Sequence, residues 1–494
     1  MIHEEWLYRI RQQMGHVPTN DQEHALHTFA MFMTSRDDGS VMILRGSAGT
    51  GKTTLASAIV RAMIGMEQKM VLLAPTGRAA KVFSLYSGQP AYTIHRRIYR
   101  QRTAADVLSS FTLNDNLHTD TLFIIDEASM IANEAGSDTF GSGCLLDDLV
   151  HFVYEGRAAG KNCRMLLIGD GAQLPPVGET ESPALVGDVL RAYGLTVFEA
   201  DLNEVLRQSQ ESGILWNATR VRNLPIVLSK GRGNLSLPMI RLQGFTDIQV
   251  VPGDELIEAL ASSYSQVGID DTIVITRSNK RANIYNQGIR NTVLDREDEL
   301  CRGDRIMIVK NNYSFTLNPS QRDEGNVGAP MDFIANGDQA VVQRARNVHE
   351  LYGFRFSEVT MQFPDYDDYE LTALVMLDTL TTEAPALTRE QQQQLFEKVM
   401  EDYMDVPYKS DRLKKIKEDK YYNALQIKFG YAVTCHKAQG GQWAHVYIDQ
   451  GYMTDNLLTP EYLHWLYTAL TRATKKVYLV NWPDTQIELL SEEA

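Results

Sequence analysis

At 494 residues the chain is too long for one hydrophobic core, and with 44% hydrophobic and 22% charged residues it has an ordinary globular composition, so two large domains with smaller insertions are expected. No stretch is apolar enough to span a bilayer, and the segment around Glu4 and Glu5 lacks the apolar core of a signal peptide, so a cytoplasmic location is expected. The net charge of −15 excludes a broadly basic nucleic-acid coat and leaves only local clusters, His95 to Arg102 and Lys409 to Lys420, while four cysteines without a CxxC pair argue against zinc or a disulfide framework.

Short apolar runs at residues 41–44, 70–74, 122–125 and 165–168 are bounded by Gly, Pro, Asp or Ser and separated by helical patterns. That alternation predicts a parallel α/β sheet. Between the first run and a helical stretch lies Gly46-Ser47-Ala48-Gly49-Thr50-Gly51-Lys52-Thr53, which is GxxxxGK[ST] in its strand–loop–helix context. Its glycines let backbone N–H groups turn inward around phosphates at a helix N-terminus. Lys52 would supply charge to the β and γ phosphates, and the Thr53 hydroxyl would ligate Mg²⁺.

The run at 122–125 ends in Asp126-Glu127. Asp126 would hold Mg²⁺ through water and Glu127 would deprotonate the attacking water. The run at 165–168 leads into Gly169-Asp170-Gly171-Ala172-Gln173-Leu174-Pro175-Pro176. Ligands of an open parallel sheet bind beyond the carboxyl ends of its strands, so Gln173 would lie near the γ-phosphate.

The same pattern returns at 272–276, 446–448 and 477–480, predicting a second α/β unit. Residues 339–422 interrupt it. They begin with strand-like alternation at 339–344, 354–363 and 371–376 and pass into a polar stretch, 388–420, that predicts one or two surface helices.

In chain order these segments resemble the motifs of a superfamily 1 helicase. Thr19-Asn20-Asp21-Gln22 is similar to the Q-motif, in which Gln22 would read adenine. Ala74 to Lys81 resembles motif Ia, Thr93 to Arg96 motif Ib, and Leu202 to Gln208 motif IV. Tyr431 to Gly440, containing His436-Lys437-Ala438-Gln439-Gly440, resembles motif V, and Tyr467 to Ala473 motif VI. The HKAQG form points to superfamily 1B, the RecD/Dda-like branch.

The resemblance implies an α/β fold of two RecA-like P-loop domains with ATP and Mg²⁺ between them. Residues 1–95 and 122–210 would form the first domain, and 211–338 and 423–494 the second. Residues 96–121 would form a small β-hairpin pin, and 339–422 an SH3-like β-rich insertion. Nucleotide contacts would come from Gln22, Gly46, Ser47, Ala48, Gly49, Thr50, Gly51, Lys52, Thr53, Thr54 and Gly440. Lys52, Glu127, Gln173 and two arginine fingers, Arg207 and Arg472, would carry hydrolysis. Arg207 could instead pair with Glu204.

Single-stranded DNA would contact Thr76, Arg78, His95, Thr434, His436 and Lys437, with Phe111 stacking at the fork. His95 and His436 could equally be structural. The implied activity is 5′-to-3′ translocation and unwinding by a monomeric motor acting on single strands and junctions, in repair, recombination or replication. A translocase that does not unwind, an ATP-dependent assembly switch and an RNA substrate remain open on these residues.

Overall fold

The computed structural model describes residues 2–101, 111–133, 141–204, 211–229, 237–312 and 334–488. Six parallel strands form the first sheet, in the order Ala91–Thr93, Lys69–Ala74, Thr121–Ile125, Arg164–Gly169, Ser40–Gly46 and Thr196–Leu202. Thr121–Ile125 and Arg164–Gly169 are buried at every position. Helices cover both faces of such a strand, which is why its sequence is a continuous apolar run rather than an alternation. One face packs on Trp6, Phe29, Ile59 and Met63, the other on Ile98, Leu149 and Phe152.

Register sets the site. Arg45 lies beside Gly169 and Ile125 beside Leu167, so the chain leaves three neighbouring strands at about one level. The phosphate loop, Asp126-Glu127 and the 169–174 turn therefore emerge together on one edge of the sheet, where ligands bind in this architecture.

The second sheet has five parallel strands: Ala432–Thr434, Thr272–Thr276, Trp443–Asp449, Ala473–Val480 and Ile248–Val251. Against it pack the Gly213–Ser229 and Pro460–Leu470 helices. The latter starts on Thr459, whose side chain accepts from the Tyr462 amide, with proline in the first turn where its missing N–H costs nothing.

A closed five-stranded barrel joins the second sheet: Arg305–Ile308, Gln339–Leu351, Phe354–Phe363, Tyr369–Met376 and Leu425–Phe429. It takes its first and last strands from outside the interval 339–422. Those two strands pair with each other, and Arg305–Ile308 also pairs with Gln339–Leu351. Closure removes the open edges that three strands alone would expose. Phe354, Phe356, Val359, Met361 and Phe363 are buried at near-alternate positions. The polar stretch forms the Arg389–Glu401 and Lys409–Glu418 helices, which pack Leu395, Val399 and Ile416 against Phe354 and Phe356.

Between the first sheet's strands, Tyr99–Gln101 pairs antiparallel with Phe111–Leu113. Residues 102–110 lie outside the described residues. Among the described residues, no helix is long and apolar enough to cross a membrane.

Candidate functional site

The phosphate loop turns on two glycines in left-handed conformation, Gly49 at φ +77° and Gly51 at +84°, where a side chain would be strained. A Cβ on Gly46 would stand 2.7 Å from Lys52 Cγ, so glycine there admits the lysine stem. Lys52 Nζ donates to the carbonyls of Gly46 and Ser47 and lies 3.9 Å from Asp170 Oδ2. Thr53, in the first turn of the Lys52–Gly65 helix, is exposed.

A cavity of about 350 Å³ opens here, walled by Ser47, Ala48, Gly49, Gly51, Lys52 and Thr53 from the loop. Asp126, Glu127, Asp170 and Gln173 close it from the first sheet, and Gln442, Thr471 and Arg472 from the second. Gly46, Thr50 and Thr54, expected at the nucleotide, do not line it. Thr50 is instead an internal brace, its hydroxyl donating to the Ser47 carbonyl at 2.8 Å.

Gln22 is wholly buried. Thr19 and Gln22 form a reciprocal helix cap, and the Gln22 amide nitrogen also donates to the Thr50 carbonyl at 3.1 Å. The same amide, expected at adenine, ties the Asn20–Thr34 helix to the phosphate loop.

Glu127 adopts φ +51°, a left-handed conformation uncommon for a side chain of this size and found where surroundings impose it. Burial raises its carboxyl pKa, opposed by the nearby Arg472 guanidinium. A raised carboxyl pKa suits a group that takes a proton from water near neutral pH. Asp126 is held on both oxygens: Oδ1 accepts from the Glu127 amide at 2.8 Å and Oδ2 from the Tyr86 hydroxyl at 2.5 Å.

Two buried oxygens at the cavity wall, Ser47 Oγ and Gln173 Oε1, have no hydrogen-bond partner in the protein. Buried polar atoms are rarely left so unless a ligand or water completes them. The donor set fits Mg²⁺ with a nucleotide. One hydroxyl (Thr53) and one carboxylate (Asp126) suit a hard cation that draws its other ligands from phosphate and water. Among the described residues no cluster of three His, Cys, Asp or Glu could hold a metal alone.

The 169–174 turn is bonded to the second sheet's domain at four points. Tyr467 Oη donates to Asp170 Oδ2 at 2.6 Å and accepts from the Ala48 amide at 2.8 Å. The Leu174 amide donates to Thr468 Oγ1 at 2.8 Å, and its carbonyl accepts from Gln439 Nε2 at 2.6 Å. His464 Nδ1 lies 2.8 Å from the Ala172 carbonyl. Arg472 follows on the same helix end and is held by the carbonyls of Thr468 and Gly441, both at 3.2 Å. Arg207, its expected partner, lies outside the described residues.

The residues expected at DNA separate into groups. Thr434 and Lys437 share a small cleft with Asn279 and Lys428 at the junction with the barrel. Lys437 donates to Asn336 Oδ1, and burial lowers its pKa to about 8. His436 is half-buried and shifted toward the neutral form by burial. Thr76 caps the Gly77–Ser87 helix, accepting from the Ala79 amide at 3.2 Å. Burial takes His95 down to about 4, so it meets any partner as a neutral imidazole.

The Arg78 guanidinium stacks over the Trp443 ring at 4.1 Å and donates to the Gln442 carbonyl and Gln339 Oε1, so it also links the domains. Gly440 also sits at this junction. At φ +70° it packs on the Gly77–Ser87 helix, where a Cβ would stand 3.2 Å from Ala79 Cβ and Thr76 Oγ1, and it does not line the nucleotide cavity. The backbone of Phe111 pairs with Gln101, while its side chain lies outside the described residues. Sequence reasoning gave no role to Tyr86, Tyr467 or Trp443, which act across elements far apart in the chain.

Residues 19–224 match the AAA domain family, and residues 429–480 the UvrD-like helicase C-terminal domain. The ATP-dependent DNA helicase Dda of Enterobacteria phage T4 is 25% identical over 337 residues, spanning 66% of this chain and 70% of that protein. The ATP-dependent RecD2 DNA helicase of Deinococcus radiodurans is 25% identical over 331 residues, spanning 63% of this chain and 39% of that one. A solved Pif1 helicase from Bacteroides, in complex with ADP-AlF3 and single-stranded DNA, aligns over 96% of this chain and 95% of its own at 14% identity and a TM-score of 0.46. With phosphate loop, acid pair and opposing arginine meeting in one cavity, an AAA domain in its first half and a UvrD-like helicase C-terminal domain near its end, the chain is an ATP-hydrolysing enzyme similar to the superfamily 1B helicases of the RecD/Dda-like branch.

Proposed function

We propose that this chain moves 5′ to 3′ along single-stranded DNA and unwinds duplex, coupling ATP hydrolysis between the two sheets to stepping. The observation that carries the reading is the position of Arg472, from the second domain, on the wall of the cavity that holds Lys52, Asp126, Glu127 and Gln173 of the first.

The residues divide the chemistry. The loop amides and Lys52 bind the phosphates, and bound Mg²⁺ would supply charge neutralisation there, held by Thr53 and by Asp126 through water. Glu127 takes the proton of the attacking water, which the free Gln173 Oε1 orients. Arg472 stabilises charge spread over the transferred phosphoryl group, and Arg207 is proposed as its companion. Because Arg472 comes from the opposite domain, nucleotide binding favours closure and hydrolysis removes that preference. Thr76, His95, Thr434, His436 and Lys437 hold backbone phosphates without reading bases, as a sequence-tolerant motor requires. The 99–113 hairpin, with Phe111, separates the strands. Polarity and the choice of DNA rest on the HKAQG form of motif V and on the resemblance to Dda and RecD2.

The test is strand displacement from matched partial duplexes carrying a 5′ or a 3′ single-stranded tail, with ATP and Mg²⁺ and a Lys52→Ala control. Displacement from the 5′ tail alone, lost in the control, is expected. Displacement from the 3′ tail alone overturns the polarity. Strand-stimulated hydrolysis without displacement leaves a translocase that does not unwind.

A further inference from the structure

Tyr86 sits near the end of the Gly77–Ser87 helix, ten residues from Thr76, and belongs to no motif read from the sequence. It is attached to both elements that carry the proposed metal ligands. Its hydroxyl donates to Asp126 Oδ2 at 2.5 Å. Its carbonyl accepts from Ser57 Oγ at 2.8 Å. Ser57 lies four residues after Thr53 on the Lys52–Gly65 helix, so the two share one face, one turn apart. The ring is fixed by stacking on Phe83, with centroids 5.1 Å apart, and Phe83 is wholly buried. A single residue thus brackets Asp126 against the helix that presents Thr53.

The bracket has a specific geometry. Asp126 Oδ1 is taken by the Glu127 amide and Oδ2 by Tyr86, which locks the carboxylate in one rotamer. Each oxygen keeps further accepting capacity, because a carboxylate oxygen can accept more than one hydrogen bond, and Asp126 lines the cavity. Partners behind a metal-binding carboxylate orient it and tune its affinity. A phenol as the partner holds the carboxylate without adding a charge that would repel the cation.

We propose that Tyr86 is the positioning residue of the magnesium site, holding the Asp126 carboxylate at a fixed place relative to Thr53. The proposal rests on the nucleotide reading above. It assigns Tyr86 no contact with nucleotide or with the reacting atoms.

Tyr86→Phe in the full chain removes the hydroxyl and keeps the ring, its stacking and the backbone bond to Ser57. Binding of a fluorescent ADP analogue is titrated with Mg²⁺ and, separately, in excess chelator. Affinity in chelator stays near wild type, while the thermal midpoint falls by a few degrees because the bond to the Asp126 carboxylate is gone. The Mg²⁺ concentration for half-maximal tightening rises by about 10- to 100-fold, the usual cost of losing a partner behind a metal ligand. Ser57→Ala shifts it in the same direction by less. An unchanged Mg²⁺ dependence in Tyr86→Phe overturns the proposal. So does an equal loss of affinity with and without Mg²⁺, because that marks a deformed phosphate loop. If the wild-type chain binds no analogue, or Lys52→Ala binds it as tightly, the nucleotide reading itself fails and takes the proposal with it.

Discussion

Tyr467→Phe isolates what holds the cleft together. The hydroxyl is wedged between the domains, donating to the buried Asp170 and accepting from the Ala48 amide. Phenylalanine keeps the packed ring and deletes both bonds. A hydrogen bond to a charged group contributes about 1.5–3 kcal/mol and a neutral one about 0.5–1.5, so the pair contributes roughly 2–4.5 kcal/mol. Both bonds cross the domain boundary, so the loss falls on the closed arrangement and not on either domain's own core. At about 1.4 kcal/mol per tenfold, the opened form becomes roughly 30- to 1,600-fold more populated. Native-state hydrogen exchange reads this directly. The Ala48 and Leu174 amides, both bonded across the cleft, should exchange faster, while the amides of the Arg164–Gly169 strand keep their protection. The reasoning fails if Ala48 and Leu174 stay as protected as in wild type, or if the strand loses protection in parallel.

Glu127→Gln keeps the shape of the acid pair and removes the base. Nucleotide affinity should persist while turnover falls by about 10²–10⁴-fold, read by binding and steady-state hydrolysis on the same preparation. Lys437 gives a pH signature, because its pKa near 8 in the folded chain lies below the ordinary 10.5. The ammonium is present below about 8, so affinity for single strands should weaken as pH rises through and above that value. Lys437→Gln should remove this dependence and reduce the salt slope of binding by about 0.7 for each phosphate the side chain no longer neutralises. Stability moves the other way. The cost of burying the ammonium is fully present below about 8 and is relieved as pH climbs toward 10.5, which thermal melts in the same buffers can check.

The nucleotide half of the site was legible because its chemistry is local. A glycine loop between an apolar run and a helix dictates its own shape, and Asp126-Glu127 follows a strand whose burial on both faces shows in four consecutive apolar residues, 122–125. Gln22 shows a local rule at work beside the family motif. Thr19 and Gln22 have the spacing of a reciprocal cap, readable without any ligand, and the structure uses the glutamine that way. Arg78 and Tyr467 were beyond such reading. Their partners lie hundreds of residues away, and nothing near Trp443 or Asp170 in sequence signals them. Alternation marks the middle strands of the barrel. Its closing strands are short and almost uniformly buried, and so carry the pattern of a parallel core instead.

The 169–174 turn belongs to the first domain by chain and to the second by hydrogen bonding. Asp170, Ala172 and both backbone groups of Leu174 find partners on Tyr467, His464, Thr468 and Gln439. Separability is the property this removes. A fragment cut after the Thr196–Leu202 strand would keep its sheet and its phosphate loop, yet both Leu174 backbone groups, next to Gln173, would turn to water. The smallest unit with an assembled catalytic turn is therefore larger than the smallest unit with a complete core.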